Sequence, residues 1–254
     1  MATVAFGSVT LGEGRTKVIV PITGESADEL VEQASALAGR DDVDIVEWRA
    51  DYLPDAPDPE DVLAAARRLR GVLGDVPVLF TFRTAAEGGL QSIEPDAYAS
   101  LNIALVESGL VDAVDVELLF DQAAGDAVIA AARKVGVPVV GSFHRFDGTP
   151  PVHELVGHLE TMAERGCAVS KAAVMPADAG DVLTLLQATW EMRKALSNQV
   201  VLTMAMSGVG VVSRLAGEVF GSCATFGMVG RPSAPGQVPV EKLVPVLDLV
   251  HDNL

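Results

Sequence analysis

Apolar residues fall into short runs along the chain, separated by longer stretches in which they recur every three or four positions. Eight runs have the length of a strand: Val18–Pro21, Val43–Trp48, Val76–Phe82, Ala113–Leu118, Val137–Phe143, Ala168–Val174, Val200–Met204 and Cys223–Met228. The stretches between them read as helices over Ser26–Ala38, Pro59–Leu73, Pro95–Ser108, Gln122–Val135, Pro151–Arg165, Ala179–Leu196 and Val211–Val219, with Val240–Leu249 last. Ser26, Asp58 and Asp178 stand where N-caps belong, and Pro59, Pro95 and Pro151 suit a first helical turn. Regular alternation predicts a parallel sheet with right-handed crossovers. Eight such units in 254 residues predict one α/β domain over residues 1–254, a (β/α)8 TIM barrel. A doubly wound sheet is the alternative, but Pro21-Ile22-Thr23-Gly24-Glu25 carries no dinucleotide-binding fingerprint after the first strand. Residues 3–11 fit a short N-terminal β-hairpin that closes the bottom of the barrel.

The sixth run has a lysine, Lys171, at its centre. A strand covered on both faces encloses such a side chain, and an enclosed ammonium without partners tends to lose its charge and become a nucleophile. A lysine that snorkels from a strand end is the competing expectation. The other strand ends are equally polar. The second ends in Glu47-Trp48-Arg49-Ala50-Asp51, and the third in Thr81-Phe82-Arg83-Thr84 before Glu87-Gly88-Gly89. The fourth carries Asp115 and Glu117 on one face, the fifth ends in His144, and Arg214 opens the helix after the seventh. In a barrel these ends share one rim. Ion pairing among them could be purely structural. The functional alternative is a cavity for a small polyhydroxy acid, with arginines for a carboxylate, a lysine for a carbonyl and a histidine for protons.

Charge narrows the partners. A net charge of −17 argues against nucleic acid and against an anionic membrane surface. No apolar run reaches the roughly 20 residues of a membrane span, and the N-terminus has no signal-peptide pattern. The two cysteines, Cys167 and Cys223, sit in apolar runs, as buried thiols in a reducing cytoplasm would. The carboxylates are matched by arginines and no His/Cys cluster has metal-ligand spacing, so no metal is expected. His153, His158 and His251 fall on helical patterns and suit packing or surface roles. Gly208-Val209-Gly210 is a weak phosphate-loop candidate.

Several of these segments together resemble the type I 3-dehydroquinate dehydratases, over essentially the full length. They are Glu47-Trp48-Arg49, Phe80-Thr81-Phe82-Arg83-Thr84 with Glu87-Gly88-Gly89, His144, and Ser170-Lys171-Ala172. Later come the run from Val212 to Ser222, Ala224-Thr225-Phe226-Gly227 and Ser233-Ala234-Pro235-Gly236-Gln237. The resemblance implies a cofactor-free lyase of the shikimate pathway that turns 3-dehydroquinate into 3-dehydroshikimate by syn elimination of water. It implies Lys171 as the imine-forming residue, His144 as general acid and base, and Glu87 as the carboxylate that orients the histidine. Around the substrate it places Glu47, Arg49, Arg83, Arg214, Ser233 and Gln237, the last two on a lid, with Phe226 and Met204 as an apolar wall or as packing. It also implies a homodimer.

The chain departs from the family pattern at Pro21, where a serine is usual, with Thr23 as a substitute. It departs again at Tyr52 and at Phe143 before the histidine. Asp115 and Glu117 either tune the charge near Lys171 and His144 or pair with a strand neighbour. Two other readings remain open. A class I aldolase would share the imine but break a carbon–carbon bond. A non-catalytic binder would hold the acid without turnover.

Overall fold

The computed structural model describes residues 2–54, 58–230 and 232–254. A hairpin of β1 (Val4–Phe6) and β2 (Val9–Leu11) precedes the barrel strands β3 (Lys17–Ile22), β4 (Ile45–Arg49), β5 (Val78–Thr81), β6 (Ala113–Glu117), β7 (Val139–Arg145), β8 (Val169–Val174), β9 (Val200–Ala205) and β10 (Ala224–Met228). The crossovers are α1 (Ala27–Leu37), α2 (Pro59–Leu73), α3 (Pro95–Glu107), α4 (Gln122–Val135), α5 (Val152–Glu164) and α6 (Ala179–Ala195). After β9 come α7 (Val211–Leu215) and α8 (Gly217–Phe220), and after β10 a two-residue strand β11 (Val238–Pro239) and α9 (Val240–His251). Among the described residues no helix is long and apolar enough to cross a membrane.

The expected TIM barrel is present. Its strands are parallel and neighbour one another in chain order, with β10 returning to β3 through Thr225 opposite Val18. The seam between β9 and β10 is thinner: one bridge joins Val201 and Ser222, helped by the Cys223 N–H on the Val201 carbonyl at 2.8 Å. Ser222 fastens the same seam with its hydroxyl, which accepts the Thr203 N–H at 3.1 Å.

Most helix starts follow from local chemistry. The side chains of Ser26, Asp58 and Asp178 accept backbone N–H groups in the first turns of α1, α2 and α6, as expected of N-caps. The helix expected over Val211–Val219 is instead two short ones, broken at Ala216. Gly217 costs helical stability, and the break turns Glu218 so that its carboxylate receives the Thr16 N–H at 3.3 Å and meets His251 Nδ1 at 2.6 Å. Two strands also shift along the chain. Val43 stays outside β4 because Asp44 is spent on the Val18 N–H at 2.7 Å, and β7 runs on past Phe143 to include His144 and Arg145.

Strand period two sorts every barrel strand into two faces. Outward residues such as Val46, Trp48, Phe80, Val114 and Val116 pack under the helices against Leu30, Leu69, Leu101 and Leu105. Inward residues at the strand starts (Ile19, Ile45, Leu79, Ala113, Val140, Val169 and Val200) form a separate apolar cluster with Phe6 and Leu11 of the hairpin. The hairpin therefore plugs the bottom, and polar chemistry begins one inward step higher.

Phe6 is 1 % exposed within that plug. Phe6→Ala should cost about 3–5 kcal/mol of unfolding free energy by cavity formation. Denaturant unfolding checks it; a loss below about 1 kcal/mol would mean the hairpin does not seal the barrel.

Candidate active site

Two residues above the apolar plug, the same inward faces become polar. Ile45 is followed by Glu47 and Arg49, Leu79 by Thr81 and Arg83, Ala113 by Asp115 and Glu117, Val140 by Ser142 and His144, and Val169 by Lys171. Of these, Glu47, Arg49, Arg83, His144 and Lys171 line a cavity of about 230 Å3 at the C-terminal rim. All nine residues singled out in the sequence line it: Lys171, His144, Glu87, Glu47, Arg49, Arg83, Arg214, Ser233 and Gln237. Met204, Phe226, Phe146, Ala173 and Met206 add the apolar wall.

Arg83 sits at the centre of the charge network. Its Nη1 donates to Glu117 Oε1 at 2.9 Å, Ser142 Oγ at 3.0 Å and Glu87 Oε2 at 3.3 Å, while Nη2 donates to Asp115 Oδ1 at 2.8 Å. Burial works against its charge, yet Asp115, Glu117 and Glu87 hold the guanidinium well above its ordinary range. Glu117 also takes the backbone N–H and the hydroxyl of Thr84, at 2.8 and 2.6 Å. Both acidic residues of the fourth barrel strand are thus paired across to the third.

Lys171 does not snorkel. Its amine is buried, with Nζ 2.8 Å from Asp115 Oδ2, 3.6 Å from Glu47 Oε1 and 4.9 Å from the centre of the Phe226 ring. The sequence suggested an isolated amine that sheds its charge; the fold instead surrounds it with carboxylates. Burial would raise the Asp115 carboxyl, but Arg83 and Lys171 pull it down to about 2.

His144 stands beside Lys171's strand, opposite Ala173 in the β7–β8 register. Its Nδ1 lies 2.9 Å from Glu87 Oε2, and the same oxygen accepts the His144 backbone N–H at 3.0 Å. An oxygen already receiving backbone and Arg83 N–H groups is best matched by a protonated Nδ1, which leaves Nε2 bare. That nitrogen has no protein partner among the described residues. Burial, then Arg83, Lys171 and Arg49, hold the imidazole well below its ordinary range. Burial pushes the Glu87 carboxyl up to about 8, with Arg83 opposing and Glu117 adding. One cause thus acts on both partners, disfavouring charge on either.

Glu87 reaches His144 because its loop folds back tightly. Gly88 takes φ 86° after the 85–87 turn, and a Cβ at Gly89 would collide with the Arg83 carbonyl. Asp51, unassigned in the sequence reading, braces the same loop. It grips Arg49 with two bonds of 2.7 Å and accepts the N–H groups of Arg83 at 3.3 Å and Leu90 at 3.2 Å.

Arg214 differs from the other cations. It is 1 % exposed and forms no ion pair among the described residues. Nη2 donates to the Pro235 carbonyl at 3.2 Å and Nη1 reaches the Phe226 carbonyl at 3.5 Å, while Nε has no partner. Burial alone lowers its guanidinium to about 10. The loop above is tied shut over it. Ser233 and Gln237 bond to each other, and the Pro235 carbonyl also accepts the Ser207 N–H at 3.1 Å. Ser207 has φ 60°, the left-handed region, where Gly236 packs against its carbonyl without a Cβ.

None of the departures from the family pattern lines the cavity, though Tyr52 touches a residue that does. Pro21 and Thr23 do not line the cavity, and the Thr23 N–H is spent on Gln33 at 2.7 Å. Phe143 faces outward against His158, with ring centres 4.5 Å apart. Tyr52 stacks on the Arg49 guanidinium at 5.2 Å. Besides Asp51, two more residues at the site carry no role assigned from the sequence. Ser142, whose hydroxyl donates to Asp115 at 2.6 Å, was signalled by its inward parity with His144. Phe146 lies beyond β7, where strand period gives no guidance. No group of three or more metal-ligating side chains is assembled among the described residues.

Comparison with known proteins agrees with this geometry. The family model for type I 3-dehydroquinase matches residues 18–254. The chain is 44% identical over 246 residues to the 3-dehydroquinate dehydratase of Bacillus licheniformis, covering 97% of this chain and 96% of that one. It is 46% identical over 251 residues to that of Listeria innocua, covering 99% of each. The crystal structure of the type I 3-dehydroquinate dehydratase of Clostridium difficile, with covalently modified comenic acid, superposes with a TM-score of 0.95 at 42% identity. It covers 99% of this chain and 98% of that one. The chain therefore belongs to the type I 3-dehydroquinase family.

Proposed function

We propose that this chain dehydrates 3-dehydroquinate to 3-dehydroshikimate in the shikimate pathway, by syn elimination through an imine on Lys171 with His144 as general acid and base. The observation that carries the reading is one cavity holding a buried amine, an imidazole with a bare Nε2, and a buried guanidinium without a carboxylate. An aldolase or a passive binder accounts less well for the match over residues 18–254. The covalently modified ligand in the Clostridium difficile relative also fits covalent chemistry in this family.

In this reading Arg214 grips the substrate carboxylate with its planar fork, exchanging the Pro235 carbonyl for a full negative charge. Nζ of Lys171 adds to the ring ketone, and loss of water leaves an iminium. That iminium withdraws electrons from the adjacent carbon, whose proton passes to Nε2 of His144. Glu87 meets the charge appearing on the ring through Nδ1. The imidazolium then gives the proton to the hydroxyl on the next carbon. The carbon–oxygen bond breaks, the double bond forms, and water leaves; a second water then adds to the iminium carbon, and cleavage of the carbon–nitrogen bond frees the ketone product and the Lys171 amine. One base on one face serves both transfers, as a syn course needs.

Glu47 and Arg49 line the cavity where ring hydroxyls would lie, and Ser233 and Gln237 close over them. Arg83 has its donors committed to four protein acceptors, so it acts on the anionic substrate mainly through its field. A homodimer and a cytoplasmic location belong to the same proposal. Leu183 and Trp190, seven residues apart on α6, are exposed and offer an apolar face.

Borohydride added with 3-dehydroquinate should leave a reduced adduct on Lys171, found by mass spectrometry. Lys171→Ala should give neither adduct nor enone absorbance; full activity in that variant would end the imine reading. His144→Ala should still be trapped on Lys171 while turnover falls about 10²–10⁴-fold. For pH, the base form is lost as pH falls through a lowered value. The acidic limb of kcat/KM should therefore lie below the ordinary histidine value of about 6.5; a limb above it would contradict the assignment. Sedimentation velocity should give twice the 26.5 kDa chain mass, and Trp190→Arg should shift it to the monomer.

A further inference from the structure

The geometry points to Asp115 as the counter-ion of the reacting nitrogen: its Oδ2 holds Lys171 Nζ before the ketone arrives and keeps that nitrogen protonated once it is an iminium. Asp115 is buried on β6, does not line the cavity, and touches Nζ from below at 2.8 Å. Its other oxygen is fixed by the Arg83 Nη2 at 2.8 Å and the Ser142 hydroxyl at 2.6 Å. Oδ2 is thereby left for the lysine alone, in one orientation. Glu47 is the other carboxylate near Nζ, but it is farther, at 3.6 Å, lines the cavity, and receives the Thr81 hydroxyl. It is placed to meet the substrate, whereas Asp115 is placed to meet only the nitrogen.

The inference deepens the imine reading and rests on it. Its force comes from the balance of the covalent step. A lysine ammonium and a ketone give an iminium and water. The carbon–nitrogen bond forms and the carbon–oxygen bond breaks. Two of the three ammonium protons leave on the oxygen, one of them passing through Nε2 of His144 before attack so that the nitrogen has a lone pair to add, and the third stays on nitrogen. The positive charge is therefore on the same atom at the start and at the end. A carboxylate held beside that atom matches both states without moving, which is electrostatic preorganisation in its simplest form. In a buried site without such a partner the iminium would shed its last proton, since burial disfavours the charged form. The neutral imine that results is a poor electron sink, and the carbon–hydrogen bond beside it would stay unreactive. The depressed carboxyl of Asp115, held at about 2 by Arg83 and Lys171 against its burial, keeps it ionised throughout.

Asp115→Asn is the test, with near-ultraviolet circular dichroism and the unfolding transition confirming a native barrel. Borohydride reduces the protonated iminium far faster than the neutral imine, so trapping reports the protonation directly. Turnover should fall about 100-fold with KM within about threefold, as when a preorganised charge is removed. Trapped adduct should fall off more steeply than in the unmodified enzyme between about pH 7 and about pH 9, because the protonated form is what burial disfavours. Asp115→Glu should regain part of the turnover. If the unmodified enzyme is trapped but a folded Asp115→Asn keeps kcat within about twofold, or shows the same adduct yield across that range, the inference fails and the imine stands. No adduct in the unmodified enzyme removes both. Should Asp115→Asn not fold, Ser142→Ala loosens the carboxylate without changing its charge. It should lower kcat about fivefold at unchanged KM, and an unchanged kcat would overturn the inference.

Discussion

The buried guanidinium of Arg83 is the interaction on which the site depends. Three carboxylates, Asp115, Glu117 and Glu87, converge on it from the fourth strand of the barrel and the loop after the third. Without that cation the enclosure of Asp115 would force protonation or rearrangement, because an unpaired buried charge costs several kcal/mol. With it, each carboxylate is free to organise something else. Asp115 orients Lys171, Glu87 orients His144, and Glu117 holds Thr84 and so the start of the loop that carries Glu87. The two groups that would perform the chemistry share one hub and are fixed relative to each other through it.

Strand period explains why this was partly visible in the chain. Five barrel strands, β4 to β8, spend one inward position on the apolar plug and the next on a polar side chain. An apolar residue followed two places later by a charged one is a pattern that sequence alone displays. Ile45 with Glu47, Ala113 with Asp115 and Val169 with Lys171 are three instances. The helices and the hairpin were legible for a similar reason, since caps and periodicity are local. What local pattern could not supply was pairing across strands. Nothing in the run from Val169 to Val174 says that the partner of Lys171 lies 56 residues earlier on β6. Barrel closure and shear decide that. The split of the Val211–Val219 segment was illegible too, because it depends on Glu218 reaching Thr16 at the far side of the seam.

The family resemblance and the physical reading make different contributions. The resemblance supplies a substrate class. The geometry says which of the expected residues are available to one. Of the four cations around the cavity, Arg49 is matched by Asp51, Arg83 by three carboxylates and Lys171 by Asp115. Arg214 alone has carbonyls and a thioether where the others have carboxylates. A chain with a net charge of −17 has thus left one buried cation without an anionic partner, at the mouth of its cavity. Burial lowers its guanidinium to about 10, and under the proposed function a ligand carboxylate is its counter-charge.

Under the proposed function that asymmetry also orients the ligand. A carboxylate on Arg214, in α7 beyond β9, and a carbonyl carbon on Lys171, inside β8, set the two ends of a small molecule across the barrel mouth. His144 on β7 then stands on the far side of Lys171 from β9, next to Glu87 and away from Arg214. The imidazole is therefore near the end of the ligand that carries the iminium and not the end that carries the carboxylate. In the proposed mechanism this order suits proton abstraction beside the iminium carbon: the base on β7 and the nucleophile on β8 are neighbours, and the anchor follows β9 on α7.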